Sequence, residues 1–564
     1  MRLSTDDDRD ERLAEATIAA AAAAGVTLFD TARAYGHGAD ELGHNERLLA
    51  RSLRSSGAGE RARIVTKGGM TREGGGWIAD GRAKAIRADC EASLEALDGL
   101  PIDFYLLHAP DPRTPWSTSV RALARLVDDG LVRRIGLSNV TRTQLDEALE
   151  LAPVAAVQVA LSTFDDSALR GGIVERCEDA GVAVIAHSPL GGPKRAGRLA
   201  RNIVLNELAQ AHGATPSEVA LTWVLGVSPT VVAIPGARRP ETARSAAAAG
   251  SLSLSAAERE TVADAFGLRR QRTAASAHTD AEVVLVMGIP GAGKSRIASQ
   301  LAGQGYLRLN RDERGGSLRA LADTLEEALA AGTRRVVLDN TYLTRAARSY
   351  VLEAATRHGA SVRCIWLDTS LAQAQANLVE RLLERFGALP TPEELRSLGR
   401  EEAGLLLPTR QMRALRELEP PAPDEGFTAV EQVPFVREPA GEAARPGVFV
   451  SAGVLADDGW ERLIADGDPH APHLVFDWRP DGTVAELDEH VARIAGVVSG
   501  PVESALCPHG AGPPACWCRP PLPGLLLAFA KAHAVDPGHS LLVGSSAAHR
   551  TLATTLGARY RAAD

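Results

Sequence analysis

Residues 26–30 are Val-Thr-Leu-Phe-Asp, a short apolar segment that ends in a carboxylate. Comparable apolar segments alternate with amphipathic, helix-like stretches through the first 265 residues. They lie at 63–65, 104–107, 135–137, 156–159, 182–185 and 231–234. Repeated alternation of strands and helices predicts an α/β fold with a parallel sheet, and this number of repeats predicts a (β/α)8 barrel. One strand is missing at the front, so we expect a barrel that lacks part of its N-terminus.

The composition is that of a globular chain whose core is built from small aliphatic residues. Of 564 residues, 45% are hydrophobic, 24% are charged and 4% are aromatic, which excludes disorder along the whole length. No apolar run reaches the roughly 18 residues that a membrane-spanning helix needs, so we expect no membrane partner. The net charge of −9 argues against a protein that coats nucleic acid through bulk charge. Six cysteines do not make a disulfide framework in so long a chain, which predicts a cytoplasmic location.

Two further α/β segments follow the barrel. Proline-rich, arginine-rich and alanine-rich stretches separate the segments and are typical of linkers. We expect the barrel at 1–265, a linker at 266–281, a P-loop domain at 282–437, a linker at 438–446 and a third α/β domain at 447–564.

Polar side chains stand at the ends of the first strands of the predicted barrel. Asp30, Lys67 and His108 each end a strand, and Tyr35 follows closely after Asp30. Because the carboxyl ends of barrel strands form one face, we expect these four side chains to converge. A tyrosine can protonate a developing alkoxide if a nearby ammonium stabilises its phenolate and a carboxylate holds that ammonium. A histidine beside the tyrosine can orient the carbonyl oxygen or relay the proton.

These four residues lie in strings that resemble the aldo-keto reductase family. The matching strings are Asp30-Thr-Ala-Arg-Ala-Tyr35-Gly36, Thr66-Lys67-Gly68, Asp103-Phe-Tyr-Leu-Leu-His108, Gly136-Leu-Ser138-Asn139-Val140, Ser188-Pro-Leu-Gly191 and Ile234-Pro-Gly-Ala-Arg238-Arg239. The resemblance implies an NADPH-dependent reductase of a small-molecule carbonyl, with Asp30, Tyr35, Lys67 and His108 as its catalytic residues.

The same resemblance implies which residues hold the cofactor. Ser138, Asn139 and Gln158 would hold the nicotinamide carboxamide, and His187 would stand where the family commonly has an aromatic ring against the nicotinamide. The residues expected along the pyrophosphate are Ser188, Leu190 and Gly191. Those expected at the 2′-phosphate are Arg238 or Arg239, because guanidinium suits phosphate.

Two further departures from the family pattern concern the cofactor. Histidine at 187 stacks less broadly than a larger aromatic ring. The arginine, glutamate and asparagine that often clamp the adenosine end are replaced by Thr242, Ser245 and Ala246. Both departures therefore bear on how tightly the cofactor is bound.

A phosphate-binding loop opens the second segment. Gly288-Ile-Pro-Gly-Ala-Gly-Lys294-Ser295 follows an apolar strand and precedes a helix, which is the context of a P-loop. In such a loop Lys294 contacts the β- and γ-phosphates of ATP and Ser295 binds Mg²⁺. The loop is expected to bind ATP through Gly288, Gly291, Gly293, Lys294 and Ser295.

The residues after the P-loop resemble the kinase domain of polynucleotide 5′-kinase/3′-phosphatase proteins. The likeness rests on the strings Asn310-Arg-Asp312 and Asp339-Asn-Thr341. It implies Asp312 as general base on an acceptor hydroxyl, and Arg381 or Arg385 as the arginine that stabilises the transferred phosphoryl group. The acceptor is left open between a small molecule and a nucleic-acid 5′ end.

A cluster of metal-ligand residues marks the third segment. Cys507-Pro-His509 and Cys516-Trp-Cys518 supply three thiolates and one imidazole, which suit tetrahedral Zn²⁺. Because the protein fills all four positions, the predicted zinc is structural.

The surrounding string resembles the zinc loop of haloacid-dehalogenase-type phosphatases. Such an enzyme needs an Asp-x-Asp on its first strand, where this chain has Ser451-Ala-Gly453. The expected lysine is Pro520, and the last acidic motif is replaced by residues 544–549. We therefore expect a fold of this type without phosphatase activity.

Three hypotheses follow for the whole chain. The first is a fusion of a carbonyl reductase with an ATP-dependent kinase and an inactive phosphatase-like domain. The second is a nucleic-acid end-processing or repair protein with an accessory reductase. The third is a regulatory protein that senses NADPH and ATP without turning them over.

Overall fold

A computed structural model describes residues 1–73, 76–268, 280–401, 406–434, 445–456, 458–512 and 514–563. The chain divides into two compact units, Met1–Arg272 and Thr273–Asp564. The predicted linkers at 266–281 and 438–446 lie largely outside the described residues. Among the described helices, none combines the length and the apolar character that crossing a bilayer would require.

The first unit alternates strands and helices as expected. Its strands are β1 Leu28–Asp30, β2 Arg63–Gly68, β3 Met70–Glu73, β4 Gly76–Ala79, β5 Ile102–Leu107, β6 Ile135–Ser138, β7 Val154–Ala160, β8 Ala183–His187 and β9 Val231–Ile234. Its helices are α1 Arg2–Thr5, α2 Glu11–Ala23, α3 His44–Ser55, α4 Ala83–Ala96, α5 Trp116–Asp128, α6 Arg142–Leu151, α7 Ser167–Arg170, α8 Ile173–Ala180, α9 Pro193–Leu199, α10 Ile203–His212, α11 Pro216–Leu225, α12 Pro240–Ala248 and α13 Ala256–Phe266.

Seven of these strands form one parallel sheet in the order β1-β2-β5-β6-β7-β8-β9. Neighbours in the sheet follow one another along the chain, which is the strand order of a (β/α)8 barrel. Within the described residues no strand joins β9 to β1, while helices α2 and α12 pack against each other. The barrel-like α/β fold predicted from the sequence is thus confirmed. Its strand ends bring the candidate side chains to one face.

Strands β3 and β4 form an antiparallel hairpin that the sequence analysis did not predict. Arg72 pairs with Trp77 in its register. The segment lacks the apolar character of the other strands, so it gave no strand signal. The hairpin begins at Met70, two positions after the end of β2 and three after Lys67.

The second unit contains two parallel sheets. The first has the order β11-β12-β10-β13-β14, with the P-loop strand β10 in the middle. The elements around it are β10 Glu282–Met287, α14 Lys294–Gly303, β11 Leu307–Leu309, α15 Arg311–Arg314, α16 Leu318–Ala330, β12 Arg335–Asp339, α17 Arg345–Arg357, β13 Ser361–Asp368, α18 Leu371–Phe386, α19 Pro392–Glu401, α20 Pro408–Glu417 and β14 Ala429–Pro434.

The last sheet has the order β17-β16-β15-β18-β19, so the chain winds outward in both directions from the central strand β15. In a doubly wound sheet of this kind, ligands bind where the winding reverses, beyond the carboxyl end of the central strands. Its elements are β15 Val448–Ser451, α21 Trp460–Ile464, β16 His473–Trp478, α22 Asp488–Ala495, β17 Val502–Cys507, α23 Gly524–Ala532, β18 Leu541–Gly544, α24 Ala547–Leu556 and β19 Arg559–Ala562.

Candidate active sites and metal centre

A buried lysine is the centre of the site at the carboxyl end of the barrel. Lys67 Nζ lies 2.7 Å from both carboxylate oxygens of Asp30 and donates to the Thr31 carbonyl at 2.8 Å. It also donates to the Tyr35 hydroxyl at 3.2 Å. The Lys67 side chain is fully buried, so its charge is balanced by Asp30 rather than by water. The three side chains therefore form one charge-assisted network around the tyrosine hydroxyl.

Burial and electrostatic attraction act in opposite directions on the pKa of Tyr35 and on the pKa of Lys67. Burial raises the pKa of the Tyr35 hydroxyl above its ordinary value, and the positive charge of Lys67 acts against that rise. The pKa of Lys67 itself is raised because the attraction of Asp30 and Tyr35 outweighs its burial. Without substrate, Tyr35 is therefore a protonated hydroxyl beside a permanent ammonium. It is in the correct form to donate a proton.

His108 borders the tyrosine and is held neutral. Its ring makes an edge contact with the Tyr35 ring, with centroids 5.6 Å apart. Burial, followed by the charge of Lys67, lowers the pKa of His108 to about 3. Its Nδ1 is buried without a hydrogen-bond partner among the described residues. A neutral imidazole at this place can orient or polarise a carbonyl oxygen but brings no positive charge of its own.

All four residues expected at the nicotinamide are linked, directly or through Asn139, to Asp30 or His108. The amide nitrogen Nε2 of Gln158 donates to Asp30 at 2.7 Å. Asn139 Nδ2 donates to the His108 carbonyl and to Ser138 Oγ, both at 3.1 Å. His187 Nε2 lies 3.3 Å from Asn139 Oδ1. The strands that follow β5 therefore place these polar side chains near Asp30 and His108.

The residues expected farther along the cofactor lie on the loop after β8 and near α12. Ser188 and Gly191 have positive φ angles of 53° and 79°. A Cβ on Gly191 would lie 2.4 Å from the Phe164 ring, so the close approach there requires glycine. Leu190 packs against the barrel core. Arg239 precedes α12 directly.

Arg238 has acidic partners that the sequence analysis missed. It forms ion pairs with Asp6 at 3.4 Å and Asp8 at 2.8 Å. These acids are more than 220 positions away, so no local pattern could have revealed the pairs. A 2′-phosphate would have to compete with both carboxylates for this guanidinium.

Trp77 is a further aromatic side chain at the site. Its ring centroid lies 6.0 Å from that of Tyr35 and 5.9 Å from that of His108. The Arg72 guanidinium stacks on its ring at 4.2 Å. The β3–β4 hairpin thus adds an aromatic wall next to Tyr35, and its start three positions after Lys67 is the one sequence signal that could have found it.

Comparison with known proteins agrees with this geometry. The model of the aldo/keto reductase family matches residues 1–265. Probable aldo-keto reductase 1 of Glycine max is 31% identical over 239 residues, which are 38% of this chain and 67% of that protein. The chain belongs to the aldo/keto reductase family. Residues 1–265 are accordingly its oxidoreductase domain.

Two more relatives lie in the same family. Aldo-keto reductase str7 of Strobilurus tenacellus is 29% identical over 266 residues, which are 42% of this chain and 74% of that protein. A crystal structure of an aldo-keto reductase from Klebsiella pneumoniae in complex with NADPH is 27% identical, with a TM-score of 0.39, and covers 46% of this chain and 88% of that one.

The second unit of this aldo-keto reductase carries the P-loop on β10 and α14. Lys294 Nζ donates to the carbonyls of Gly288 and Ile289 at 2.9 Å and 3.0 Å. Burial lowers the pKa of Lys294 to about 8, and the charge of Arg381 acts in the same direction. Gly291 has a φ of 87°, and a Cβ there would lie 2.3 Å from the Ala374 carbonyl oxygen. The lysine is folded onto its own loop, and Ser295 is exposed at the start of the helix.

The acidic residues predicted for this site follow neighbouring strands. Asp339 ends β12, is buried, and pairs with Arg308 at 2.5 Å. Asn310 donates to the Asp339 carboxylate at 3.1 Å, and its own Oδ1 accepts from the Asp312 amide at 2.7 Å. Asp312 is half-exposed and lies at the first turn of α15. Residues 283–397 match the model of an AAA domain family, which indicates a nucleotide kinase-like domain.

Three thiols and one imidazole meet in the last domain. The ligand atoms of Cys507, His509, Cys516 and Cys518 all lie within 4.8 Å of one another. Cys507 Sγ is 3.7 Å from Cys516 Sγ and 3.3 Å from Cys518 Sγ, and Cys518 Sγ is 3.2 Å from His509 Nδ1. A disulfide needs about 2.05 Å, whereas zinc held at about 2.3 Å in a tetrahedron places sulfurs about 3.8 Å apart. The donor set and spacing fit a closed tetrahedral zinc site.

At the carboxyl edge of the last sheet, the described residues differ from the acids that the phosphatase pattern requires. The central strand β15 ends at the buried Ser451, so no carboxylate stands at the usual place of the nucleophile. Asp477 on β16 is paired with Arg479 at 2.8 Å. Beyond β18, the Ser545 amide donates to His549 Nδ1 at 3.3 Å. Among the described residues of this edge, Ser451, Ser545 and His549 are uncharged or weakly basic, and the carboxylate of Asp477 is paired with Arg479.

Proposed function

We propose that the first unit reduces a small-molecule carbonyl with NADPH. The observation that carries this proposal is the buried Lys67, which bonds the Asp30 carboxylate and the Tyr35 hydroxyl at once. NADPH, when bound, supplies the hydride that is added to the carbonyl carbon. Tyr35 donates the proton to the carbonyl oxygen, and Lys67 stabilises the phenolate that this leaves. His108, as a neutral imidazole, orients the oxygen toward Tyr35.

The residues around this network fit the cofactor. Asn139 and Gln158 already face the Asp30–His108 network, and amide groups of this kind can hold a carboxamide. At the adenosine end of the cofactor, Arg238 or Arg239 would bind the 2′-phosphate. Because Arg238 is shared with Asp6 and Asp8, we expect the selectivity for NADPH over NADH to depend chiefly on Arg239.

The test is a cofactor and substrate screen of the full chain. Loss of NADPH absorbance is followed with a panel of aldehydes and ketones, and NADH is the alternative cofactor. Tyr35→Phe is expected to abolish turnover while leaving NADPH binding intact, because it removes only the hydroxyl that donates the proton and keeps the ring. Absence of turnover with every carbonyl, together with tight NADPH binding, would favour the sensing hypothesis for this unit instead.

We also propose that the second unit transfers a phosphoryl group from ATP with Mg²⁺ to a hydroxyl acceptor. Support comes from Lys294 at the P-loop, from Arg381 close enough to affect its pKa, and from Asp312 at the edge of β11. Lys294 would leave its loop carbonyls for the β- and γ-phosphates, and Ser295 would hold the Mg²⁺. Asp312 would take the proton from the acceptor hydroxyl, and Arg381 or Arg385 would neutralise charge on the transferred group.

Transfer from labelled ATP to a panel of acceptors tests this proposal. The panel holds 5′-hydroxyl oligonucleotides and small polyols, so it separates the end-processing hypothesis from a metabolite kinase. Asp312→Asn is expected to remove transfer and keep ATP binding, whereas Lys294→Ala removes both. Asp323→Asn, an exposed acid on α16, is the matched control. ATP binding without transfer to any acceptor would point to a regulatory nucleotide site.

For the last domain we propose a structural zinc and no phosphatase activity. The Cys507, His509, Cys516 and Cys518 side chains would hold the metal, and the missing acids at β15 leave no nucleophile for phosphate. Release of phosphate from p-nitrophenyl phosphate or a 3′-phosphate end, dependent on Mg²⁺, would contradict the second part of this proposal.

A further inference from the structure

The P-loop of the second unit is held from outside by two amide side chains. Asn377 Nδ2 on α18 donates to the Gly291 carbonyl at 2.8 Å. Gln411 Nε2 on α20 donates to the Pro290 carbonyl at 2.8 Å, and Gln411 is fully buried. Both donors lie outside the loop, on helices that follow it in the chain. The position of the loop therefore depends on where these two helices are placed.

Helix α18 is shared between the nucleotide-binding domain and the last domain. One side approaches the P-loop so closely that the Ala374 carbonyl excludes a Cβ on Gly291. The helix also packs against α23 and α24 of the last domain. Its buried apolar residues lie in the same hydrophobic cluster as residues of that domain. The cluster members from α18 and α19 are Ala376, Leu378, Val379, Leu382, Leu383 and Leu395.

Trp517 is the point where the cysteine cluster meets the helices of the nucleotide site. It lies between Cys516 and Cys518 and is 1% exposed. Its indole Nε1 donates to the Leu406 carbonyl at 3.0 Å. Leu406 is only five positions before Gln411. The cysteine cluster is therefore connected to the Pro290 carbonyl by one hydrogen bond, a short stretch of chain and a second hydrogen bond.

The start of α23 completes this connection. A Cβ on Gly524 would lie 2.4 Å from the Trp517 carbonyl oxygen and 2.7 Å from Leu389 Cδ1. Leu389, just after α18, is thus packed against the chain that follows the cysteine cluster. The contact is too close for any residue but glycine unless the neighbours shift. Trp517 is accordingly held at its indole N–H by Leu406 and at its backbone carbonyl by the close approach of Gly524.

We propose that the last domain is a positioning element for the nucleotide site, and that Trp517 holds α18 and α20 so that Asn377 and Gln411 keep the P-loop in its binding form. The metal-bound cluster keeps Trp517 in place, so the zinc fold acts on ATP affinity although it lies outside the nucleotide site. This role rests on the proposed ATP binding.

The test compares two tryptophans of the same domain in the full chain. Trp517→Phe keeps an aromatic ring but removes the indole N–H. Trp460→Phe is the matched control, because Trp460 is buried on α21 in a cluster formed by the last domain alone. The first measurement is the dissociation constant for ATP with Mg²⁺, by calorimetry. Trp517→Phe is expected to weaken binding about three- to tenfold, since it leaves the Leu406 carbonyl without its donor, and Trp460→Phe is expected to have no effect.

A double-mutant comparison identifies the route. Gln411→Ala is expected to weaken ATP binding, and Trp517→Phe is expected to add little once Gln411 is gone, because both act through the same chain segment. Fully additive losses would overturn the proposed route. Equal ATP affinity of Trp517→Phe and the unmodified chain would overturn the proposal itself.

Backbone hydrogen exchange separates this proposal from the one on which it rests. Faster exchange of the P-loop amides in Trp517→Phe, but not in Trp460→Phe, is expected whether or not ATP is present. If the unmodified chain binds no ATP, the proposed kinase function fails while this readout still decides the positioning role. Unchanged exchange at the P-loop would contradict the positioning role directly.

Discussion

At the scale of single residues, the reductase site is organised by one buried cation. Lys67 is the only charged side chain in the described barrel site that faces both the acid and the proton donor, and its side chain is fully buried. Its removal would leave the Asp30 carboxylate without the ammonium that bonds both of its oxygens. We therefore expect Lys67 to affect both stability and chemistry.

We predict that Lys67→Met lowers kcat for carbonyl reduction by a factor of about 10² to 10⁴, the range of general acid catalysis. It is also expected to destabilise the first unit by about 3–5 kcal/mol, because a buried ion pair loses one member. Steady-state kinetics and urea unfolding measure both effects. Lys84→Met, at an exposed lysine of α4, is the control and should change neither.

The neutral state of His108 predicts a dependence of stability on pH. Its folded-state pKa of about 3 lies below the ordinary 6.5, so below pH 6.5 the unfolded chain binds a proton that the folded chain does not. The free energy of unfolding must therefore fall as the pH drops from 6.5 toward 3. His108→Gln should flatten this slope in urea unfolding at a series of pH values. His539→Gln, at a histidine 82% exposed, should leave the slope unchanged.

At the scale of elements, a buried ion pair ties α17 to the chain before β14. The guanidinium of Arg348, which is fully buried, bonds Glu425 at 2.6 Å and 2.7 Å and also the carbonyl of Glu419 at 2.9 Å. We expect Arg348→Met to destabilise the second unit by about 3–5 kcal/mol, because Glu425 would remain buried and unpaired.

Arg413→Met is the control for this ion pair. Arg413 pairs with Glu417 on the surface of α20, and such a pair contributes about 0.3–0.5 kcal/mol. Denaturant unfolding followed in the second unit measures both variants. Similar losses from the two substitutions would show that burial does not determine the strength of the Arg348 pair.

The cysteine cluster gives a second prediction at this scale. The full chain should contain one equivalent of zinc, and Cys516→Ser should lose it, because a hydroxyl is a poor zinc ligand compared with a thiolate. Elemental analysis and thermal unfolding measure the two effects. Cys364→Ser, at a buried thiol of β13, should keep the zinc. Zinc retained in full by Cys516→Ser would exclude this cluster as the metal site.

Elements that follow a repeated local pattern could be predicted, and contacts between distant segments could not. Asp30, Lys67 and His108 follow apolar strands, so their meeting at one face follows from the strand order alone. Trp77 belongs to a hairpin without alternating polarity and was missed. The pairing of Arg238 with Asp6 and Asp8 joins residues far apart in the chain, where no periodic signal exists.

The same reason limits the prediction of the second unit. The P-loop could be recognised because eight consecutive residues carry its chemistry. The apolar core that α18 shares with the last domain depends on which apolar faces meet. Because every amphipathic helix has an apolar face, the sequence does not show which faces pack together. The sequence therefore could not show that residues 273–564 form one compact unit.

At the scale of the whole molecule, we propose two chemistries for the two compact units of one chain. The first unit contains Tyr35 and Lys67, and the second contains Lys294 and Asp312. Since no residue of one site is used in the other, each activity should be removable without loss of its counterpart.

The most direct test measures NADPH oxidation and ATP binding in the same preparations of the full chain, Tyr35→Phe and Lys294→Ala. We predict that Tyr35→Phe loses carbonyl-dependent NADPH oxidation and binds ATP normally. Lys294→Ala should instead keep carbonyl-dependent NADPH oxidation and lose ATP binding. Carbonyl-dependent NADPH oxidation that persists undiminished in Tyr35→Phe, or that is absent from the unmodified chain with every carbonyl tried, would contradict the proposed reductase mechanism.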